Sequence, residues 1–138
     1  MKKSFLLFLL VFSTLTFAQS PVKENIKYLK IIQKKCANKK GYQLVLKQVV
    51  SDSRCPEGLN CIWAGEASAI ISVYKDSKLV EDNTMVFSMK NEQENLKWFA
   101  NYLPKKQKNL KSVSVFPYPK KGVKINAKES YLKIGFAK

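Results

Sequence analysis

Residues 61–74 read CIWAGEASAIISVY, and their periodicity decides the fold. The odd positions Cys61, Trp63, Gly65, Ala67, Ala69, Ile71 and Val73 are apolar or small. The even positions mix Ile62, Ala64 and Ile70 with Glu66, Ser68, Ser72 and Tyr74. A period of two with one apolar face is the pattern of a half-buried strand. It predicts a long strand over 61–74 with Gly65 at a bulge. On that parity Trp63 shares the inward face with Cys61, and its ring packs over the cysteine pair.

The same pattern recurs on both sides. Residues 42–50, YQLVLKQVV, put Tyr42, Leu44, Leu46 and Val50 on one face, with Gln48 as the exception. Lys75-Asp76-Ser77-Lys78 is a candidate hairpin turn, followed by a weaker strand near Asn83–Met89 with Met85, Phe87 and Met89 on one face. Strands are also expected at Lys111–Tyr118, ended by Pro117-Tyr118-Pro119, and at Ser130–Ala137, where Leu132, Ile134 and Phe136 alternate. Residues 92–103 break the period. Leu96, Phe99, Ala100 and Leu103 recur at helical spacing, and Pro104 ends the segment. Asn91 with Glu94 three residues on has capping-box spacing. Residues 22–36 fit either a helix face or a strand over Asn25–Gln33, paired with 42–50 across Asn38-Lys39-Lys40-Gly41. The strand is the better fit. The sum is a mainly β protein, an antiparallel β-sandwich or open barrel with one covering α-helix.

The chain opens MKKSFLLFLLVFSTLTFAQS. Lys2 and Lys3, a short apolar run and Thr16-Phe17-Ala18 are the parts of a secretory signal peptide over residues 1–18, cleaved near Ala18/Gln19. Removing 18 of 138 residues leaves 120, enough for the single β-rich domain expected over 19–138. No later segment is long and apolar enough to span a membrane, so the protein is expected to be secreted or periplasmic. Export places Cys55 and Cys61 in an oxidising compartment, where they are expected to form a disulfide. Between them Pro56 and Gly58 fit the second and fourth positions of a tight turn. Cys36 is left over, either buried or free.

The absence of histidine removes the Ser-His-Asp triad, the Cys-His pair and imidazole-bound zinc. Three cysteines are too few for an all-thiolate zinc site, and there is no glycine-rich phosphate loop. Asp52, Glu57 and Glu66 lie close in sequence, but their spacing does not mark a catalytic pair. A calcium set of Asp52, Glu57, Asn60 and Glu66 lacks the dense alternation of a dedicated loop. No enzyme activity, metal or cofactor is expected. Asp52 fits an Asx-turn. Arg54, the only arginine, pairs with Asp52 or Glu57, lies on Trp63, or serves as a binding residue with the tip at Glu57 to Asn60. The net charge of +15, carried by 24 lysines and one arginine, falls to +13 without the leader. It is either a solvated surface or a footprint for an anionic polymer through Lys105, Lys106, Lys108 and Lys111, with Lys120 and Lys121.

Asp52-Ser53-Arg54-Cys55-Pro56, then Cys61 and Trp63-Ala64-Gly65, resembles a D-S-R-C-P…C-x-W-A-G signature of small exported bacterial proteins. The resemblance extends to Val115–Pro119 and Tyr131–Ile134, covering roughly residues 42–74 and 111–137. It implies a shared β-rich fold and disulfide, and carries over no catalytic residue, because the family has no assigned activity. Residues 91–110 and Cys36 stand outside the match as features of this chain. The expected function is binding rather than catalysis, with a protein or cell-envelope partner. An electrostatic binder of anionic glycan, lipopolysaccharide or nucleic acid is one alternative, and an inhibitor of a secreted hydrolase another. Oligomeric state is left open.

Overall fold

The computed structural model describes residues 24–33 and 40–137. The expected leader over 1–18 and Cys36 lie outside the described residues. Six strands and one helix follow in order: β1 Ile26–Ile32, β2 Tyr42–Asp52, β3 Ala67–Lys75, β4 Lys78–Phe87, α1 Glu92–Tyr102, β5 Leu110–Phe116 and β6 Tyr131–Ala137. They form two antiparallel three-stranded sheets, ordered β2-β3-β4 and β1-β6-β5. This is the expected sandwich with one covering helix. At its seams β1 approaches β2 and β4 approaches β5.

The core lies between the sheets. Leu46, Ala67, Ala69, Ile71, Met85 and Phe87 come from one sheet; Ile31, Val113, Val115, Leu132 and Ile134 come from the other. Phe99 and Leu103 of the α1 segment close one side. Asn95, buried on the same helix, donates from Nδ2 to the Val86 carbonyl at 2.9 Å and so fixes α1 to β4. The exposed face of α1 continues into an aromatic row. Trp98 lies 4.9 Å from Tyr102, and Tyr102 lies 5.4 Å from Tyr42 of β2.

Several expectations shift. The residues near 26–32 form a strand, but β1 pairs with β6 rather than with 42–50. That register sets Leu29 opposite Ile134 and Ile31 opposite Leu132, which gives the apolar face of β1 a buried partner. In β2 the pairing slips between Leu46 and Gln48 and again between Val49 and Ser51. Each bulge resets the two-residue parity. Hence Gln48 is no exception to a single face, Val49 meets Ala69, and Val50 is exposed. β3 begins at Ala67, six residues later than expected. β4 begins earlier, at Lys78, and ends at Phe87, so Met89 is left 82 % exposed instead of joining Met85 and Phe87 inside. The hairpin between β3 and β4 turns at Asp76 and Ser77, both with positive φ, as a two-residue hairpin requires. Asn91 stands at the helix N-cap, but its φ and ψ are already helical, and its side chain accepts from Ser88 Oγ instead of a helix amide. The capping box therefore does not form.

Phe99 is fully buried at the point where α1 meets both sheets. Phe99→Ala is expected to lower unfolding free energy by about 3–5 kcal/mol. Lys97→Ala, on the exposed face of the same helix, should change it by less than about 0.5 kcal/mol. Urea denaturation of the two variants checks this.

Candidate functional site

The connection between β2 and β3 is built as an extension of their hairpin. Ser53 donates its backbone N–H to the Glu66 carbonyl at 2.8 Å, and Cys55 donates to Ala64 at 2.9 Å. Gly65 makes this stem possible. Its φ is +73°, and a Cβ there would sit 2.0 Å from the Ser53 carbonyl oxygen. The Cys55–Cys61 disulfide, with Cα atoms 5.9 Å apart, closes the loop above the stem. Within it Leu59 N–H donates to the Pro56 carbonyl at 3.1 Å, with Gly58 at φ +84°. The turn is thus shifted by one residue from its expected place. Pro56 is first and Gly58 third, the position where a left-handed backbone favours glycine.

Arg54 is only 9 % exposed, and its guanidinium anchors the loop. Nε donates to Asp52 Oδ1 at 2.8 Å and Nη2 to Asp52 Oδ2 at 2.6 Å, a bidentate fork. Nη1 reaches the Val115 carbonyl at 2.7 Å, and Nη2 the Pro117 carbonyl at 3.3 Å. The Tyr118 ring lies 4.5 Å from the guanidinium carbon. Asp52 Oδ1 also accepts from Arg54 N–H at 3.2 Å, the expected Asx-turn. Of the expected roles for Arg54, pairing with Asp52 is the one observed. Buried and bonded within its own chain, it holds the loop.

Outside the clamp the loop is apolar and exposed. Ile62 is fully exposed and Trp63 is 65 % exposed, with Leu59 beside them in the sequence also exposed. Trp63 therefore does not cover the disulfide from inside. The strand parity that pointed it inward ends at Gly65, because residues 61–66 are loop. A cavity of about 300 Å³ adjoins the base of the loop, lined by Arg54, Ala64, Gly65, Phe87, Met89, Glu92 and Tyr118 among others. Glu57 and Asn60 are exposed at the tip. Glu57 donates its N–H to the Pro119 carbonyl at 2.8 Å and faces Lys120 at 3.6 Å. Asp52 is thus answered by a buried guanidinium, whereas the Glu57–Lys120 pair is exposed on both sides. Among the described residues no group of three His, Cys, Asp or Glu side chains gathers for a metal.

Lys105 and Lys106 lie in a 3-10 turn, Lys105–Gln107, and Lys108 follows it. All three are exposed. Lys111, near the start of β5, is paired with Glu24 at 2.8 Å. The Arg54 carbonyl partners lie at the other end of β5, roughly 13–20 Å along the chain from Lys111. The lysine segment and the disulfide loop are thus separate regions. Among the described residues no helix is long and apolar enough to cross a membrane.

A second cavity of about 540 Å³ is lined by Gln33, Val45, Lys47, Ser72, Tyr74, Asp82 and Lys128 among others. Lys47 Nζ meets Asp82 Oδ2 at 2.6 Å, and Ser72 Oγ donates to Asp82 Oδ1 at 2.6 Å. Hydrogen bonds from Lys47 and then Ser72 hold the Asp82 pKa below the usual carboxylate value, and Asp82 raises that of Lys47 in turn. Lys47 and Asp82 therefore answer each other, and Lys128 is the remaining charge of the lining.

Comparison with protein-family models, with curated proteins and with solved structures returns no match.

Two outcomes follow. Asp52→Ala leaves a buried guanidinium without its counter-charge and should cost about 3 kcal/mol. Cys55→Ser with Cys61→Ser should cost about 2 kcal/mol, the loop-closure value for so short a ring. Denaturant unfolding under oxidising conditions ranks them. A larger loss from the cysteine pair would contradict the primacy of the clamp. Because folding lowers the Asp82 pKa, its contribution is present above the ordinary carboxylate range and is lost as pH falls through the lowered value. Asp82→Asn should therefore flatten the acid limb of stability measured from about pH 6 to about pH 2.

Proposed function

We propose that the protein is an exported, non-enzymatic binding module that meets a protein partner through the tip Leu59–Trp63. The observation that carries this reading is the exposure of Ile62 and Trp63 on a loop held by a disulfide, a buried guanidinium and a glycine that no other residue replaces. Tryptophan is enriched among residues that dominate binding energy. A loop fixed before encounter loses little conformational entropy on docking, so more of the contact energy remains as affinity. An apolar side chain pair held this far into water carries a solvation cost that a concave apolar acceptor removes. The cleft of a secreted hydrolase is one acceptor of that shape, which keeps inhibition within this reading.

Export is supported by the intramolecular disulfide, which persists in oxidising compartments, by the apolar leader, and by the resemblance to small exported bacterial proteins. A non-enzymatic role is supported by the lack of histidine and by the ion pairs of Asp52 and Glu57.

A photo-crosslinking residue placed at Ile62 in the producing cell tests the proposal, with the same residue at exposed Val50 as reference. The expected result is a discrete adduct from position 62 alone. Wild-type protein should compete it away, and Trp63→Ala, folded to the same stability within about 0.5 kcal/mol, should not. Equal adducts from both positions, or equal competition by Trp63→Ala, would remove the loop as the contact.

A further inference from the structure

The outer face of the β1-β6-β5 sheet carries a second arrangement, independent of the loop. Antiparallel register sets Lys30 directly opposite Lys133, and sets Tyr131 between Ile32 and Phe116. Every position on this face of the three strands is apolar, aromatic, hydroxyl or lysine, with no acidic residue. Like charges placed directly opposite across a strand pair are destabilising. Among the described residues neither ammonium meets a carboxylate; Glu24, where the chain enters β1, is taken by Lys111. The lysines rest on rings instead. Lys30 Nζ is 4.7 Å from the Tyr131 centroid, and Lys133 Nζ is 4.1 Å from Tyr28 and 5.2 Å from Phe116. Tyr28 is 58 % exposed and lies against Gly135, where an added Cβ would come within 3.3 Å of its ring.

We propose that this face binds a uronate polysaccharide. A uronate carries one carboxylate beside one apolar ring face, the same pairing of one ammonium and one aromatic ring that the sheet repeats. The carboxylates supply the counter-charge that the Lys30–Lys133 pair lacks, and an apolar sugar face meets the exposed part of Tyr28. Ser114, beside Lys133 in register, and the two tyrosine hydroxyls offer partners to sugar hydroxyls. Single-stranded nucleic acid fits less well. It binds through bases stacked on open aromatic rings, whereas here Phe116 and Tyr131 are stacked on each other at 5.7 Å and each ring also carries a lysine.

The test is titration of the folded protein with a calcium-free oligogalacturonate at low and physiological salt, alongside its methyl-esterified form and an oligo-dT of similar charge. Binding of the acidic sugar is expected, weakening with salt. Lys30→Gln with Lys133→Gln should weaken it about tenfold and reduce the salt dependence. Lys78→Gln with Lys97→Gln, an equal loss of charge elsewhere, should change it by less than about twofold. Tyr28→Ala, at an exposed position, should weaken binding without altering the salt dependence. The proposal is overturned by absence of oligogalacturonate binding at physiological salt, by equal losses from the two lysine pairs, by a larger loss from Lys105→Gln with Lys106→Gln, or by tighter binding of oligo-dT. Trp63→Ala reports on the loop alone, so failure of either reading leaves the other standing.

Discussion

The guanidinium of Arg54 joins what the hydrogen-bond ladders leave separate. Among the described residues the two sheets share no ladder, and apolar packing between them is non-directional. Arg54 rises from the β2–β3 connection and donates to Val115 and Pro117 at the end of β5, which adds a directional contact across the sandwich. Burying a cation costs several kcal/mol unless it is paired and its donors are satisfied. Asp52 supplies the charge, two carbonyls take further donors and Tyr118 covers the plane. Lysine fails at this position, because an ammonium has no flat fork to match a carboxylate and two carbonyls together. In a chain with 24 lysines, the one arginine stands where only a planar, permanently charged group fits.

The mainly β architecture and the helix over 92–103 are legible because each depends on a period that survives within a short window. Ala67 to Val73 and Leu132 to Ile134 alternate in sequence as they do in the core. What breaks that reading is local backbone geometry with little signature in residue type. The β2 bulges reset parity at Lys47 and Val50 and turn a misfit at Gln48 into regular pairing. The end of strand geometry at Gly65 reverses the expectation for Trp63, since a residue in a stem loop no longer alternates with Ala67. Gly65 gave a hint as a lone glycine in an apolar run, but a bulge and the end of a strand look alike in sequence.

The site was legible in part for the same reason. The disulfide and the Asx-turn at Asp52 are short-range features, fixed by neighbours within a few residues. The burial of Arg54 is not, because its two carbonyl acceptors lie more than sixty residues away. Lys30 and Lys133 are further apart still, and only the β1–β6 register makes them neighbours. Composition alone gives every lysine the same standing. The structure divides them: Lys47, Lys111 and Lys120 each face a carboxylate, while Lys30 and Lys133 face each other across a row of rings.

The loop and the sheet face also meet through Arg54. Its two carbonyl acceptors, on Val115 and Pro117, flank Phe116 in the chain. Phe116 in turn stacks on Tyr131 and supports Lys133. One buried cation therefore holds the backbone on both sides of a ring in the lysine-bearing face, while its own backbone carries the disulfide loop. Loss of Arg54 would loosen both surfaces together. Substitutions at exposed positions, Trp63 on one side and Lys30 with Lys133 on the other, leave the clamp intact and so separate the two surfaces.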